Sequence, residues 1–137
     1  MRIGIVGSMQ FSEKMIEVKN QLEKLGHSVF VSMETESMVD KTDEEKEKIK
    51  LHQKFSKNAM KEFWKQMENS DAMVVLNYDK HGVKNYVGGN SLMDLAVAHY
   101  LNQKIFLLNP IPEIEFYKSE IIAMNPIVIN GDLTLIK

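Results

Sequence analysis

The sequence contains no cysteine, and this absence removes three kinds of chemistry at once. Without thiols it offers no disulfide framework, no thiolate metal site and no cysteine nucleophile. Histidine does not supply a metal site instead, because no two histidines have the i, i+4 spacing of a helical zinc site. The residues concerned are His27, His52, His81 and His99. We therefore predict no metal and no cofactor.

Long apolar runs and an excess charge of one sign are also missing. The opening run, residues 1–6, is too short for a signal peptide, and no stretch approaches the roughly 18 residues of a membrane span. The 17 basic and 19 acidic residues give a net charge of −2, and no block of like charge is long enough to follow a phosphate backbone. We expect a cytoplasmic protein that binds neither membranes nor nucleic acid.

What is present is ordinary globular composition, with 44% hydrophobic and 26% charged residues. This is too apolar for a disordered chain, and 137 residues match the usual size of one domain. Residues 1–137 are accordingly predicted to form a single domain.

Apolar, β-branched runs alternate with helical patterns along the chain. Residues 2–6 predict a strand, and a helix follows with Met15, Val18, Leu22 and Leu25 at helical spacing. Gly26 occupies the position after a helix that requires positive φ, and residues 27–31 predict a second strand.

The middle of the chain is the most charged part. Residues 34–50 have few large apolar groups and predict a mobile loop that leads into a helix. From about residue 44 to residue 69 the pattern is helical, with Met60, Phe63 and Met67 on one stripe and Trp64 beside it. The stripe is interpreted as core. The N-terminal half of this pattern, with Leu51, His52, Phe55 and Asn58, is a candidate pocket border.

Three further strands are predicted at residues 71–77, 104–108 and 126–129, with helices at 91–102 and 113–124 between them. Strands that alternate with helices indicate an α/β three-layer sandwich. We predict a five-stranded parallel sheet in the flavodoxin-like (Rossmann-like) order 2-1-3-4-5. In such a sheet, the loops after strands one, three and four meet where the strand order reverses. A ligand is therefore expected between Gly7-Ser8, the 79–91 loop and Asn109.

The first of these loops is Gly7-Ser8-Met9-Gln10-Phe11. Its glycine lets backbone N–H groups approach a ligand oxygen, and the helix that follows favours an anion at its N-terminus. A Gly-Ser pair after a strand is equally consistent with a simple turn. Both interpretations stay open.

The second loop leads through Gly88-Gly89-Asn90-Ser91 to Asp94. Adjacent glycines allow positive φ or close contact with a ligand. The Ser91-x-x-Asp94 spacing is that of a capping box, in which the carboxylate bonds to the backbone at the start of the helix. Periodicity alone favours this cap over catalysis.

In order and spacing, four motifs resemble the nucleoside 2-deoxyribosyltransferase family and the related 2′-deoxynucleoside 5′-phosphate N-hydrolases. They are Val6-Gly7-Ser8-Met9, the 69–77 segment, Gly88-Gly89-Asn90-Ser91 before Asp94-Leu95-Ala96-Val97-Ala98, and Lys104-Ile105-Phe106-Leu107-Leu108. The resemblance spans nearly the whole chain. It implies cleavage or transfer of the N-glycosidic bond of a 2′-deoxynucleoside or deoxynucleotide, through a carboxylate that attacks C1′.

The resemblance also implies roles for individual residues. The family nucleophile is a glutamate in a Glu-x-x-x-Ala setting, and Asp94 is the matching residue here. Asp79 is a candidate donor to the leaving base or a solvated loop residue. The family has an aspartate on the helix before strand three, and Asn58 and Glu62 are the nearest polar residues here. Asn125 matches a family residue that reaches a neighbouring subunit.

The aromatic residues Phe11 and Tyr86 either stack on the substrate or pack in the protein. The family pattern and the ten methionines predict a homo-oligomer. A non-catalytic nucleotide-binding protein on the same fold remains the competing hypothesis. A flavin protein is less favoured, because the first loop lacks the Ser/Thr run that would hold a flavin phosphate.

Overall fold

The computed structural model describes residues 1–33 and 35–137. Within them, five strands form one parallel sheet: β1 (Arg2–Val6), β2 (Ser28–Phe30), β3 (Ala72–Val75), β4 (Lys104–Leu107) and β5 (Ile127–Val128). The strand order is β2-β1-β3-β4-β5. The helices are α1 (Ser12–Lys24), α2 (Asp43–Ser56), α3 (Ala59–Met67), α4 (Gly89–Tyr100) and α5 (Lys118–Ala123). The predicted α/β fold and its order 2-1-3-4-5 are confirmed.

Apolar side chains cover both faces of the sheet and give the molecule its three layers. Alternate strand residues such as Ile3, Ile5 and Val74 pack against α1 and the C-terminal segment that contains Leu133. The opposite face packs against α3, α4 and α5. Because β3 is buried on both faces, its sequence is the continuous apolar run expected of a central parallel strand.

The helical pattern predicted from residue 44 to residue 69 is two helices, not one. Asn58 separates α2 from α3 with φ 55°, a left-handed conformation that a right-handed helix cannot continue and that asparagine tolerates. Helix α2 begins at Asp43, where Thr42 closes a capping box with Glu45. The predicted loop therefore ends at residue 42, and Glu34, with which it starts, lies outside the described residues.

Two other expectations are corrected at helix ends. Leu25 does not continue the buried stripe of α1; it is 49% exposed at the C-terminus of the helix, followed by Gly26 with φ 96°. Helix α5 starts at Lys118 rather than near residue 113, because Tyr117 has φ −146°, outside the helical region. None of the helices in the described ranges is long and apolar enough to cross a membrane.

Candidate active site

A cavity of about 280 Å³ opens at the carboxyl ends of β1 and β3. These strands are neighbours, with Val6 opposite Val75, but the chain leaves them toward different layers. After β1 it enters α1, and after β3 it enters α4 on the other face. The loops therefore separate and leave a crevice, as expected where strand order reverses. Ten of the predicted site residues line it: Gly7, Ser8, Met9, Phe11, Tyr86, Gly88, Gly89, Asn90, Ser91 and Asp94.

Asp94 is the carboxylate of this cavity. Its exposed fraction is only 7%, and its Oδ1 atom accepts a hydrogen bond of 2.8 Å from the indole Nε1 of Trp64. Burial raises the pKa of the Asp94 carboxyl to about 7, while the Trp64 hydrogen bond acts in the opposite direction. The residue therefore exchanges its proton near neutral pH.

The capping-box interpretation of Asp94 is wrong. The N-cap of α4 is Gly88, which makes no side-chain cap hydrogen bond, and Ser91 is already a helical residue. With Gly89 as the first helical residue, Asp94 is the sixth and lies in the second turn, beyond the reach of the N-cap. Sequence spacing misplaced the start of the helix by two residues.

Two glycines, Gly88 and Gly89, bring the start of α4 to the cavity. Gly88 has φ −79°, so the positive φ considered for this glycine pair is not used there. A Cβ atom at Gly88 would lie 3.2 Å from the Tyr86 ring, whereas a Cβ at Gly89 would meet nothing within 4 Å. At Gly89, the missing side chain leaves open space beside the N–H groups that begin the helix.

The loop after β1 forms the opposite wall. Ser8 caps a short 3₁₀ helix, Met9–Phe11, by accepting a hydrogen bond from the backbone N–H of Gln10. Its Oγ atom also accepts a hydrogen bond of 2.7 Å from Lys80 Nζ, which lies in the loop after β3. The Phe11 ring packs edge-on against Tyr78 at 5.1 Å, so it has a packing partner as well as a place in the cavity wall.

Three lysines give the cavity a cationic border. Lys80 is joined there by Lys50 and Lys54 from α2. Burial lowers the pKa of the Lys80 ammonium, and the nearby Lys50 lowers it further, while Glu47 and Asp43 act in the opposite direction. Glu47 forms an ion pair of 2.8 Å with Lys50, so the charge of this border is compensated in part within α2.

Four predicted residues do not line the cavity. Asp79 is exposed and accepts a hydrogen bond from the Asn85 backbone N–H, which shapes the loop. Asn58 is the exposed break between α2 and α3. Asn109 exchanges hydrogen bonds with the buried Asn77 and so ties the end of β4 to β3. Asn125 lines a separate surface depression with Gln103 and Lys104.

Several lining residues were not predicted as site residues. Trp64, predicted only to lie beside the α3 stripe, is the hydrogen-bond partner of the cavity residue Asp94, and a hydrogen bond between helices leaves no signal in periodicity. The N-terminal half of the pattern predicted from residue 44 to residue 69 does border the cavity, but the exposed Leu51, His52, Phe55 and Asn58 are not the residues that line it. The residues of α2 that line the cavity are Lys50, Gln53 and Lys54.

No group of three or more histidine, aspartate or glutamate side chains suited to a metal ion occurs in the described ranges. The chemistry of the cavity therefore centres on one buried carboxylate, its indole partner, a cationic border and free helix-start amides. Comparison of the chain with protein-family models, with curated proteins and with solved structures finds no match.

Proposed function

We propose that this protein cleaves the N-glycosidic bond of 2′-deoxynucleoside 5′-phosphates, with Asp94 as the nucleophile. The burial of Asp94 in the wall of the cavity carries the proposal. Its described polar partner is the neutral Trp64 rather than a cation, so its charge is not compensated as it would be in a structural ion pair. A buried, unpaired carboxylate is costly to the fold, and such groups cluster at functional sites.

In the proposed reaction, an Asp94 oxygen forms a bond to C1′ of the sugar while the bond from C1′ to the base nitrogen breaks. The electron pair of that bond leaves with the base, which takes up a proton from solvent. Water, or a second base, then attacks C1′ and releases the carboxylate. This sequence requires ionised Asp94.

The cationic border supports a phosphorylated substrate over a nucleoside. A phosphate dianion offers Lys50, Lys54 and Lys80 a strong acceptor, and charge-assisted hydrogen bonds are about twice as strong as neutral ones. The exposed amides at the start of α4 favour the same charge.

The direct test incubates the protein with the four deoxynucleoside 5′-monophosphates, the matching deoxynucleosides and the ribonucleotides, with and without an acceptor base. Chromatography should show free base from the deoxynucleotides, and an exchanged nucleotide if a base is the better acceptor. Asp94→Asn should release none, because the amide cannot attack C1′. Full activity in Asp94→Asn would refute the assignment.

A non-catalytic nucleotide-binding protein is the second candidate. The observation that favours it is that three lysines and the start of α4 line the cavity, and the attraction of an anion to them does not require Asp94. This candidate predicts deoxynucleotide binding by calorimetry, equal in wild type and Asp94→Asn, with no base released by either.

We also propose that the chain self-associates. Several large apolar or aromatic side chains are strongly exposed, among them Tyr100 at 84%, Phe116 at 87% and Ile122 at 50%. Analytical ultracentrifugation at micromolar concentration should give the mass of a dimer or larger assembly. A monomer mass throughout would contradict this.

A further inference from the structure

We propose that Trp64 is a positioning residue, whose indole fixes the orientation of the Asp94 carboxylate and favours its ionised form. The consequence for turnover rests on the proposed function. The contact itself is testable without any substrate.

The two side chains come from different helices of the same layer. Trp64 lies on α3 and Asp94 on α4, and both helices pack on the face of the sheet formed by Met73, Val75 and Ile105. The hydrogen bond from Nε1 to Oδ1 is 2.8 Å long, within the normal range for an N–H donor and an oxygen acceptor. Because sheet packing holds both helices, the carboxylate is held at one oxygen rather than left to rotate.

Tryptophan suits this role for a chemical reason. Its indole offers one N–H donor, no acceptor and no titration, so it can satisfy a carboxylate oxygen without neutralising the carboxylate. A lysine or arginine in the same place would stabilise the charge far more and make the oxygen a poor nucleophile.

The other ionisable groups near Trp64 and Asp94 do not take the place of the indole as a cause of the Asp94 pKa. Burial and the Trp64 hydrogen bond account for the pKa of Asp94. On α3, the charged residues Lys61, Glu62 and Lys65 are exposed, and on α4 the exposed His99 lies in the last turn. The titratable side chains that share the cavity with Asp94 are Lys50, Lys54, Lys80, His81 and Tyr86.

The first experiment uses fluorescence, since Trp64 is the sole tryptophan of the sequence. Tryptophan emission of the wild type, recorded from pH 5 to pH 9.5, should show a transition near pH 7 as Asp94 loses its proton beside the indole. The transition should be absent in Asp94→Asn and retained in His81→Asn, the matched control at another polar residue of the same cavity. A wild type without the transition, or an Asp94→Asn protein that keeps it, would overturn the proposal.

The second experiment measures kcat against pH in Trp64→Phe, which keeps an aromatic ring and removes the donor. Loss of a hydrogen bond to a charged group should move the acid limb upward by on the order of one pH unit. Below that limb kcat should fall about tenfold, while KM changes little and kcat recovers in large part above pH 9. Tyr117→Phe, which removes the hydrogen bond from Tyr117 to the Val87 carbonyl, is the control and should leave the limb in place.

An unchanged acid limb in Trp64→Phe would contradict the positioning role. If no substrate is turned over, the proposed function fails, and the fluorescence comparison still decides whether the indole and carboxylate are coupled. The same comparison decides the matter if Trp64→Phe does not fold.

Discussion

Two carboxylates, Asp94 and Glu13, have opposite environments. Asp94 on α4 is buried against a neutral indole, and burial raises its pKa to about 7. Glu13 on α1 is partly exposed and bonds to Lys46 on α2, and this bond lowers its pKa to about 2. The Lys46 ammonium is itself buried, and it also donates a hydrogen bond to the Gln10 carbonyl.

The difference separates a carboxylate that stabilises the fold from one that costs stability. The pair of Glu13 and Lys46 attaches α2, whose buried described side chains are the polar Lys46 and Gln53, to the start of α1. Because α2 also carries Lys50 and Lys54, this polar attachment places cations at the cavity. Asp94 forms no comparable ion pair between helices. The free-energy cost of its buried charge must therefore be offset by other contacts of the fold.

The largest expected effect is a gain in stability when the charge of Asp94 is removed. Its folded pKa of about 7 exceeds the ordinary value of 3.8, so the folded state holds the proton more tightly than the unfolded state. The contribution of Asp94 to stability should therefore be complete below about pH 4 and be lost as the pH rises to 7. Asp94→Asn should raise the free energy of unfolding at pH 8 by up to about 4 kcal/mol.

Urea denaturation at pH 5 and pH 8 measures this difference. Asp79→Asn is the control, because an exposed loop substitution should stay within about 0.5 kcal/mol. A loss of stability at pH 8 in Asp94→Asn would show that the Asp94 carboxylate stabilises the fold, as Glu13 does, and would contradict the difference between them.

A smaller effect is expected when Glu13 loses its partner. Lys46→Met should lower the free energy of unfolding by about 1–3 kcal/mol, since Glu13 keeps water on its exposed side. Amide hydrogen exchange should quicken across residues 43–56 more than across α1. Lys48→Met is the matched control, because Lys48 and its ion-pair partner Glu44 are both exposed and their charged atoms lie 3.8 Å apart. Equal protection of α2 in both variants would mean that Lys46 does not attach the helix.

The smallest expected effect is the loss of stability in acid that comes from Glu13. The folded pKa of Glu13 lies below its ordinary 4.5, so its contribution is complete above about pH 4.5 and is lost as the pH falls toward 2. Solvent screening at this partly exposed group limits the contribution to about 1 kcal/mol or less. Wild type should therefore lose more stability than Glu13→Gln between pH 6 and pH 2.5. Parallel losses would assign the acid sensitivity to other groups.

Sequence alone determined the architecture, because apolar periodicity reports burial directly. The spacing of Met15, Val18 and Leu22 predicted the buried face of α1, and the apolar run around Val74 predicted a central strand. Strand alternation then yielded the order 2-1-3-4-5 and the edge where the cavity opens.

Only the tertiary structure decided which side chains meet there. Ser91 and Asp94 have cap spacing, but the helix begins at Gly89 and leaves Asp94 buried in its second turn. The contact of Trp64 with Asp94 joins residues on separate helices, and Lys46 joins α2 to α1 in the same way. Polar contacts of this kind depend on how elements pack across the sheet, and local sequence periodicity carries no record of them.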